Sequence, residues 1–502
     1  MYYFVNQYIM ALNSGVEHAE FKRLQLFKEH GVPAKLVTRQ FDGLLHQNMR
    51  RFELADDQLV NLFDFFRGTT ALTPKVVKMT DLNWPDAYDV KPNPNVSQVL
   101  AGDRLVAKVH FVPGTVGHVY YVEIFDRFNN LVQRTDYDAR GFKARDRFVA
   151  PNGEPVTDIF YRPDGQRVIE AYFVHNANGG NYVSLCKLID YQGQDYYFNG
   201  ENEFYRFFLD ELNRATDEDN VFIGDRPLAS QWPIINMQTK ARKYLWLPTP
   251  HAVDPNDQVY SNLNNAYTYG LHEYLTSLDG VITSTEQQKQ DLTAWMGGQP
   301  KRPIMTISAA VVSKAQADRQ PIAMTDRHAH EIIYAGRLDN ERHVDQLITA
   351  FTQVRRKVKD ATLKIYGYGA TKAKLQEQVK TANLTDVVTF AGYQPDLSAA
   401  YDQAGAYVYT GDSDAQPLSL VEALSHGVPV IAYDINYGPR DVVKDGRNGY
   451  LVKSGAVNQL VTAMTKVIEN PKRQQKLSNT AYRTSQQYSS DQVWQQWAQV
   501  VK

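Results

Sequence analysis

The chain has 502 residues, more than one ordinary core holds, so two or three domains are expected. It is 43% hydrophobic and 22% charged, with a formal net charge of -2. That excludes a disordered chain and leaves no global electrostatic pull toward nucleic acid or an anionic membrane, so no nucleic-acid partner is expected.

Cys186 is the single cysteine, which rules out an intramolecular disulfide and a multi-cysteine zinc site and points to reducing, cytoplasmic surroundings. The opening residues lack a basic leader, and no stretch approaches the roughly 18–20 apolar residues that a membrane-spanning helix needs. The expectation is a cytoplasmic protein, peripheral at most at the inner membrane face.

In chain order, a strand at Tyr2–Tyr8 leads into a helix at Glu20–Glu29, a stop at Gly31-Val-Pro33 and a strand at Ala34–Thr38. That is the β-loop-α-β opening of a doubly wound sheet. From 76 to 215 the helical period gives way to short β-branched and aromatic runs, such as Val119–Phe125 and Val168–Phe173. Turn signals at Phe128-Asn-Asn130, Pro151-Asn-Gly153, Pro163-Asp-Gly165 and Tyr191-Gln-Gly-Gln194 separate them. They predict a β-meander whose exposed hairpin edges invite an acceptor or a second subunit.

The α/β alternation then resumes, with strands expected at Asn220–Ile223, Tyr244–Leu247, Gly280–Thr283, Glu331–Tyr334, Leu363–Tyr366, Val387–Phe390, Ala406–Tyr409 and Val428–Tyr433. Short apolar runs between amphipathic stretches suit parallel strands covered on both faces. The polar segment Lys314–Arg327 reads as a linker, and Ser490–Val501 as a terminal helix. The segments are therefore 1–75 with 216–320 (an N-terminal Rossmann-like acceptor domain), 76–215 (the β-rich insertion), 331–487 (a C-terminal Rossmann-like domain) and 488–502 (the terminal helix).

The chemistry concentrates in the C-terminal segment. Gly336-Arg-Leu-Asp-Asn-Glu-Arg342 follows a strand, at the end where open α/β sheets bind ligands. Its two arginines have forks that match phosphate oxygens, and the alternative is a solvated surface pair. Ile365-Tyr-Gly-Tyr-Gly369 and Phe390-Ala-Gly392-Tyr393-Gln394 are glycine turns that bring backbone near a ligand or base edge, or ordinary turns. In Thr410–Val430 an acidic loop precedes a helix starting near Leu418, whose free amides suit an anion, while Glu422 suits a ribose diol.

In this order and spacing, these segments resemble the donor half of family-4 retaining glycosyltransferases. Tyr433–Asp441, Asp445–Tyr450, the β insertion and Ser14-Gly-Val-Glu17 are similar to Gram-positive wall teichoic acid α-glycosyltransferases and the related O-glycosyltransferases of serine-rich adhesins. The resemblance implies an α/β chain of GT-B architecture, two Rossmann-like domains facing a cleft with a β-meander insertion in the N-terminal one. It implies that Arg337 and Arg342 hold the donor diphosphate, that the amides of Leu418 and Ser419 meet its phosphates and that Glu422 binds the ribose.

The same resemblance puts Gly336, Gly392 and Tyr393 at the nucleotide, Gly15 near the diphosphate, and His251 and Asp414 near the reacting sugar. Asn176 and Asn178 match a family motif with no derived role. The implied donor is UDP-glucose or UDP-N-acetylglucosamine, used as substrate with no cofactor and no metal, and the implied acceptor is a Ser/Thr-rich protein or teichoic acid.

Relatives usually carry Glu at Asp414 and Lys at Arg342. The departures motivate a second reading, a non-catalytic glycosyltransferase-like partner subunit; a third, a sugar-phosphate isomerase of the same architecture, stands because fold alone does not decide function. A homo-oligomer or a partner subunit would assemble through the β insertion.

Overall fold

The computed structural model describes residues 1–176, 179–216 and 219–501. The chain divides into two compact units. One holds 1–11, 34–222 and 232–241; the other holds 12–33, 223–231 and 242–502. This grouping differs from the segments read along the sequence.

In the first unit, β1 (Tyr2–Val5), β2 (Ala34–Thr38) and β3 (Leu59–Asn61) form a parallel ladder, with Tyr2 opposite Ala34 and Leu36 opposite Leu59. Sequence reasoning missed β3, which is three residues long. The insertion folds as ten antiparallel strands in unbroken sequence order, from Asp89–Lys91 to Gln194–Phe198. One of its hairpins turns through Gln192 and Gly193, at φ 53° and 81°, with Tyr191 opposite Gln194. Two consecutive positive φ values match the right-handed twist of the flanking strands.

Aromatic packing builds the core of this unit: Phe63 meets Phe160 at 4.4 Å and Phe66 meets Phe204 at 5.3 Å between ring centres. A buried polar cluster crosses the core. Arg140 reaches Asp64 at 2.7 Å, both oxygens of Asp138 at 2.8 Å and the Thr69 carbonyl at 2.5 Å. Arg67 also donates to Asp64, and His46 bridges Asp56 at 2.7 Å and Asp64 at 2.8 Å.

The second unit contains a parallel run of β4 (Arg242–Leu247), β5 (Gly280–Thr283) and β6 (Ile304–Thr306). It also contains a six-stranded parallel sheet of β7 (His328–Ala335), β8 (Thr362–Tyr366), β9 (Val388–Gly392), β10 (Ala404–Tyr409), β11 (Val430–Asp434) and β12 (Gly449–Lys453). Its strand order is β9-β8-β7-β10-β11-β12. All six residues of β10 are buried, as expected of a strand covered on both faces. Flanking helices supply the cover; in Val344–Lys357 the buried residues Val344, Leu347, Ile348, Phe351 and Val354 recur at helical spacing.

The order reverses between β7 and β10. The loops leaving these neighbours splay to opposite sides and open a crevice, the topological switch point where doubly wound sheets bind ligands.

Helix α1 (Gly15–Glu29) packs within this second unit. Phe27 lies edge-on to Trp494 and Trp497, at 5.2 and 4.9 Å, and Arg23 stacks 4.7 Å from Trp246 while pairing with Asp225 at 2.7 Å. Those contacts, invisible to a segment-by-segment reading, tie 12–33 to Asp225, Trp246 and the terminal helix of its unit. The expected linker at 314–327 contains a short helix, Lys314–Ala317, and the expected terminal helix spans Ser490–Trp497. The strand expected at 220–223 is found at Val221–Gly224. No helix among the described residues is long and apolar enough to cross a membrane.

Candidate functional site

At the switch point, a cavity of about 630 Å³ is lined by Ser14, Gly15, His18 and Lys22 from the start of α1 and by residues of the loops after β7, β8, β9 and β10. Of the residues singled out from sequence, Gly15, Gly336, Arg337, Arg342, Tyr393, Asp414, Leu418, Ser419 and Glu422 line it.

The β7 loop is fastened from two sides. The Gly336 amide donates to the Tyr366 carbonyl at 3.1 Å and that of Leu338 to the Tyr368 carbonyl at 2.7 Å, while the Tyr334 hydroxyl donates to the Arg337 carbonyl at 2.8 Å. Gly367 has φ 134°, and a Cβ there would lie 1.8 Å from the Gly336 oxygen. The glycines of Ile365–Gly369 thus allow close loop-on-loop packing, and Gly367 and Tyr368 also line the cavity. Arg337 is half-exposed and pairs with Asp339 at 2.9 Å.

Arg342 is more deeply held. Its Nη1 donates to the Tyr409 hydroxyl at 2.6 Å, the Asp414 carboxylate at 3.0 Å and the Ser413 carbonyl at 3.1 Å. Burial works against its charge, but the Tyr409 oxygen and the Asp414 carboxylate outweigh it, so the guanidinium stays charged. His343 pairs with Asp412 at 2.9 Å. The two acids of Asp412-Ser-Asp414 therefore turn to two different side chains, Asp412 to His343 and Asp414 to Arg342.

Helix α2 (Leu418–Ser425) begins where the sequence places it. The Leu420 amide donates to the Pro417 carbonyl at 3.2 Å, while those of Leu418 and Ser419 have no earlier carbonyl in the helix to bond and suit an anion. Ser419 accepts from the Tyr407 hydroxyl at 2.7 Å. One turn on, Glu422 accepts from Lys22 at 2.5 Å and from the Tyr401 hydroxyl at 3.3 Å. Burial raises the Glu422 pKa, and Lys22 outweighs that, leaving it below the ordinary carboxylate value.

Sequence reasoning missed His18 and Lys22. They stand four residues apart on one face of α1, and His18 meets the Tyr393 hydroxyl at 2.9 Å. That spacing was the available signal. Burial lowers the His18 pKa below its ordinary 6.5. Ser14 caps α1 with Glu17 in a reciprocal capping box, and at Gly15 an added Cβ would meet no protein atom within 4 Å.

Two residues lie elsewhere. Gly392 has φ 75° and its carbonyl accepts from the Gly367 amide at 2.8 Å, but it is not among the residues lining the cavity. His251 is fully buried, donates through Nε2 to the Gln258 carbonyl at 2.9 Å, and is likewise outside the lining. Burial lowers its pKa. Asn176 accepts from the Gly180 amide through its side chain at 3.0 Å; Asn178 lies outside the described residues.

A family model described as glycosyl transferases group 1 matches residues 321–484, the part of the chain that builds most of the cavity. A second, described as an accessory Sec system protein, matches residues 5–389, well over half of the chain. The chain belongs to this accessory Sec system protein family and carries a group 1 glycosyltransferase domain.

Among curated relatives of this accessory Sec family chain, the UDP-N-acetylglucosamine–peptide N-acetylglucosaminyltransferase GtfA subunit of Streptococcus gordonii is 27% identical. That alignment covers 100% of the chain and 98% of the relative. The poly(ribitol-phosphate) alpha-N-acetylglucosaminyltransferase of Staphylococcus aureus is 22% identical, with 96% of each covered. The crystal structure of the pneumococcal O-GlcNAc transferase GtfA in complex with UDP and GlcNAc superposes with a TM-score of 0.85 at 21% identity, covering 100% of this chain and 98% of that one. The fold is GT-B, as the motifs implied, and the named relatives are the UDP-sugar transferases that the resemblance pointed to.

Proposed function

We propose that this chain is a retaining glycosyltransferase that moves N-acetylglucosamine from UDP-N-acetylglucosamine to serine or threonine hydroxyls of a protein, with UDP-glucose and teichoic acid as the other donor and acceptor classes. The observation that carries the reading is that Arg337, Arg342, Glu422 and the first amides of α2 line one cavity at the switch point. Glu422 holds the ribose. The two arginines and the helix amides stabilise the negative charge that grows on the diphosphate as the bond from the sugar C1 breaks.

In this reading the leaving phosphate oxygen accepts the proton of the acceptor hydroxyl. The new C1–O bond forms on the face the phosphate vacates, so configuration is retained. The arginines and amides supply the charge stabilisation that a metal gives elsewhere, and the chemistry is metal-independent. A cytoplasmic setting and assembly with a partner subunit through the meander belong to the same proposal.

The second reading, a non-catalytic partner subunit, is favoured by the accessory Sec family match over 5–389. Incubation with UDP-glucose, UDP-N-acetylglucosamine, UDP-galactose and UDP-N-acetylgalactosamine, with and without a Ser/Thr-rich protein or teichoic acid, separates the two. UDP release from UDP-N-acetylglucosamine, increased by the protein acceptor, is expected. UDP binding without release from any donor would overturn the enzyme reading in favour of the partner.

A further inference from the structure

We infer that Tyr409 is a positioning residue of the donor site, its hydroxyl holding Arg342 against Asp414 so that the remaining donors of the guanidinium are presented to the diphosphate. The inference rests on the donor-site reading above.

Tyr409 closes β10, and its side chain is 3% exposed. Its hydroxyl oxygen accepts from Arg342 Nη1 at 2.6 Å and its proton goes to Asp414 Oδ2 at 3.1 Å. One hydroxyl therefore bridges the cation and the acid, and both of its bonds are fixed in direction. Arg342 Nη1 also serves Ser413 and Asp414, so that nitrogen is fully committed to the protein. Among the described residues, Nε and Nη2 of Arg342 have no protein acceptor, and the residue lines the cavity. These are the donors left for phosphate oxygens.

The backbone leaves this arrangement no slack. A Cβ on Gly411 would lie 2.5 Å from the Tyr409 hydroxyl oxygen and 2.8 Å from Arg342 Nη1, so the loop main chain is pressed against both side chains. Neighbouring tyrosines do parallel work: Tyr334 holds the Arg337 carbonyl, Tyr407 holds Ser419 and Tyr401 holds Glu422. Tyr409 differs in that it acts on a cation of the site. A phenylalanine in its place fills the same core volume and removes only the bridge.

The experiment is a double-mutant cycle on the full chain: wild type, Tyr409→Phe, Arg342→Ala and both together, read as kcat/KM with the active UDP-sugar and as Kd for UDP by calorimetry. Tyr409→Phe removes both bonds of the bridge while Arg342 keeps those to Ser413 and Asp414, and is expected to lower kcat/KM about tenfold and weaken UDP binding about threefold. In the Arg342→Ala background the same change should have no further effect, because a residue that acts through Arg342 has nothing left to position.

Equal losses in both backgrounds would assign Tyr409 a merely structural role and overturn the inference. So would wild-type values for Tyr409→Phe. If the wild type turns over no donor, the enzyme reading fails separately. The UDP-binding cycle then decides: coupling between the two changes supports the inference and additivity overturns it.

Discussion

Replacing Glu422 with alanine should weaken UDP binding about 5- to 30-fold while leaving the protein nearly as stable. A hydrogen bond to a charged carboxylate contributes about 1.5–3 kcal/mol. The ribose, however, competes for the carboxylate with Lys22, which sits 2.5 Å from Glu422 with the two side chains 31% and 30% exposed. An ion pair that open to water contributes about 0–1 kcal/mol. The difference leaves about 1–2 kcal/mol of affinity to lose, at about 1.4 kcal/mol for each tenfold change. The cost to folding is small because Lys22 rehydrates; the buried Tyr401 hydroxyl loses its acceptor, about 1 kcal/mol. Calorimetric titration with UDP, alongside thermal melting, measures both. Unchanged or tighter UDP binding by the variant would refute the assignment of Glu422 to the nucleotide.

Gly367→Ala places a Cβ against the Gly336 oxygen at a φ of 134°, and should cost about 2–4 kcal/mol of stability while weakening UDP binding, since the Arg337 loop must shift; urea unfolding and UDP titration read the two effects. Arg140→Met removes one of the two guanidiniums that pair with the buried carboxylates of Asp64 and Asp138, leaving Arg67 alone with both, and should cost up to about 3–5 kcal/mol, seen as a lower urea midpoint. His46 is held above its ordinary 6.5: burial opposes its charge, but the hydrogen bond to Asp64 wins. Its stabilisation is therefore complete below pH 6.5 and lost as pH rises through the folded-state value; unfolding midpoints across that window should fall in the wild type and stay flatter in His46→Gln.

Much of the cavity proposed as the donor site was legible because its parts are local. A strand followed by Gly336–Arg342, and an acidic loop followed by a helix at Leu418, are short-range patterns that backbone physics makes on its own. The meander was legible too, since turns such as Gln192-Gly193 need positive φ. His18 and Lys22 were not, because what defines them is their contact with Tyr393 and Glu422, some 375 and 400 residues away. The glycines of Ile365–Gly369 look the same in sequence whether a ligand or another loop presses on them.

By itself the sequence determined the α/β alternation, the antiparallel insertion and the types of charged and small residues a nucleotide-sugar site requires, because hydrophobic period and turn chemistry act over a few residues. The tertiary structure alone decided that α1 packs on the tryptophans of the terminal helix, that the strand order reverses between β7 and β10, and that Arg342 and Asp414 share one tyrosine hydroxyl. Those outcomes depend on contacts between residues far apart in the chain, whose pairing is fixed only when the whole unit closes its core.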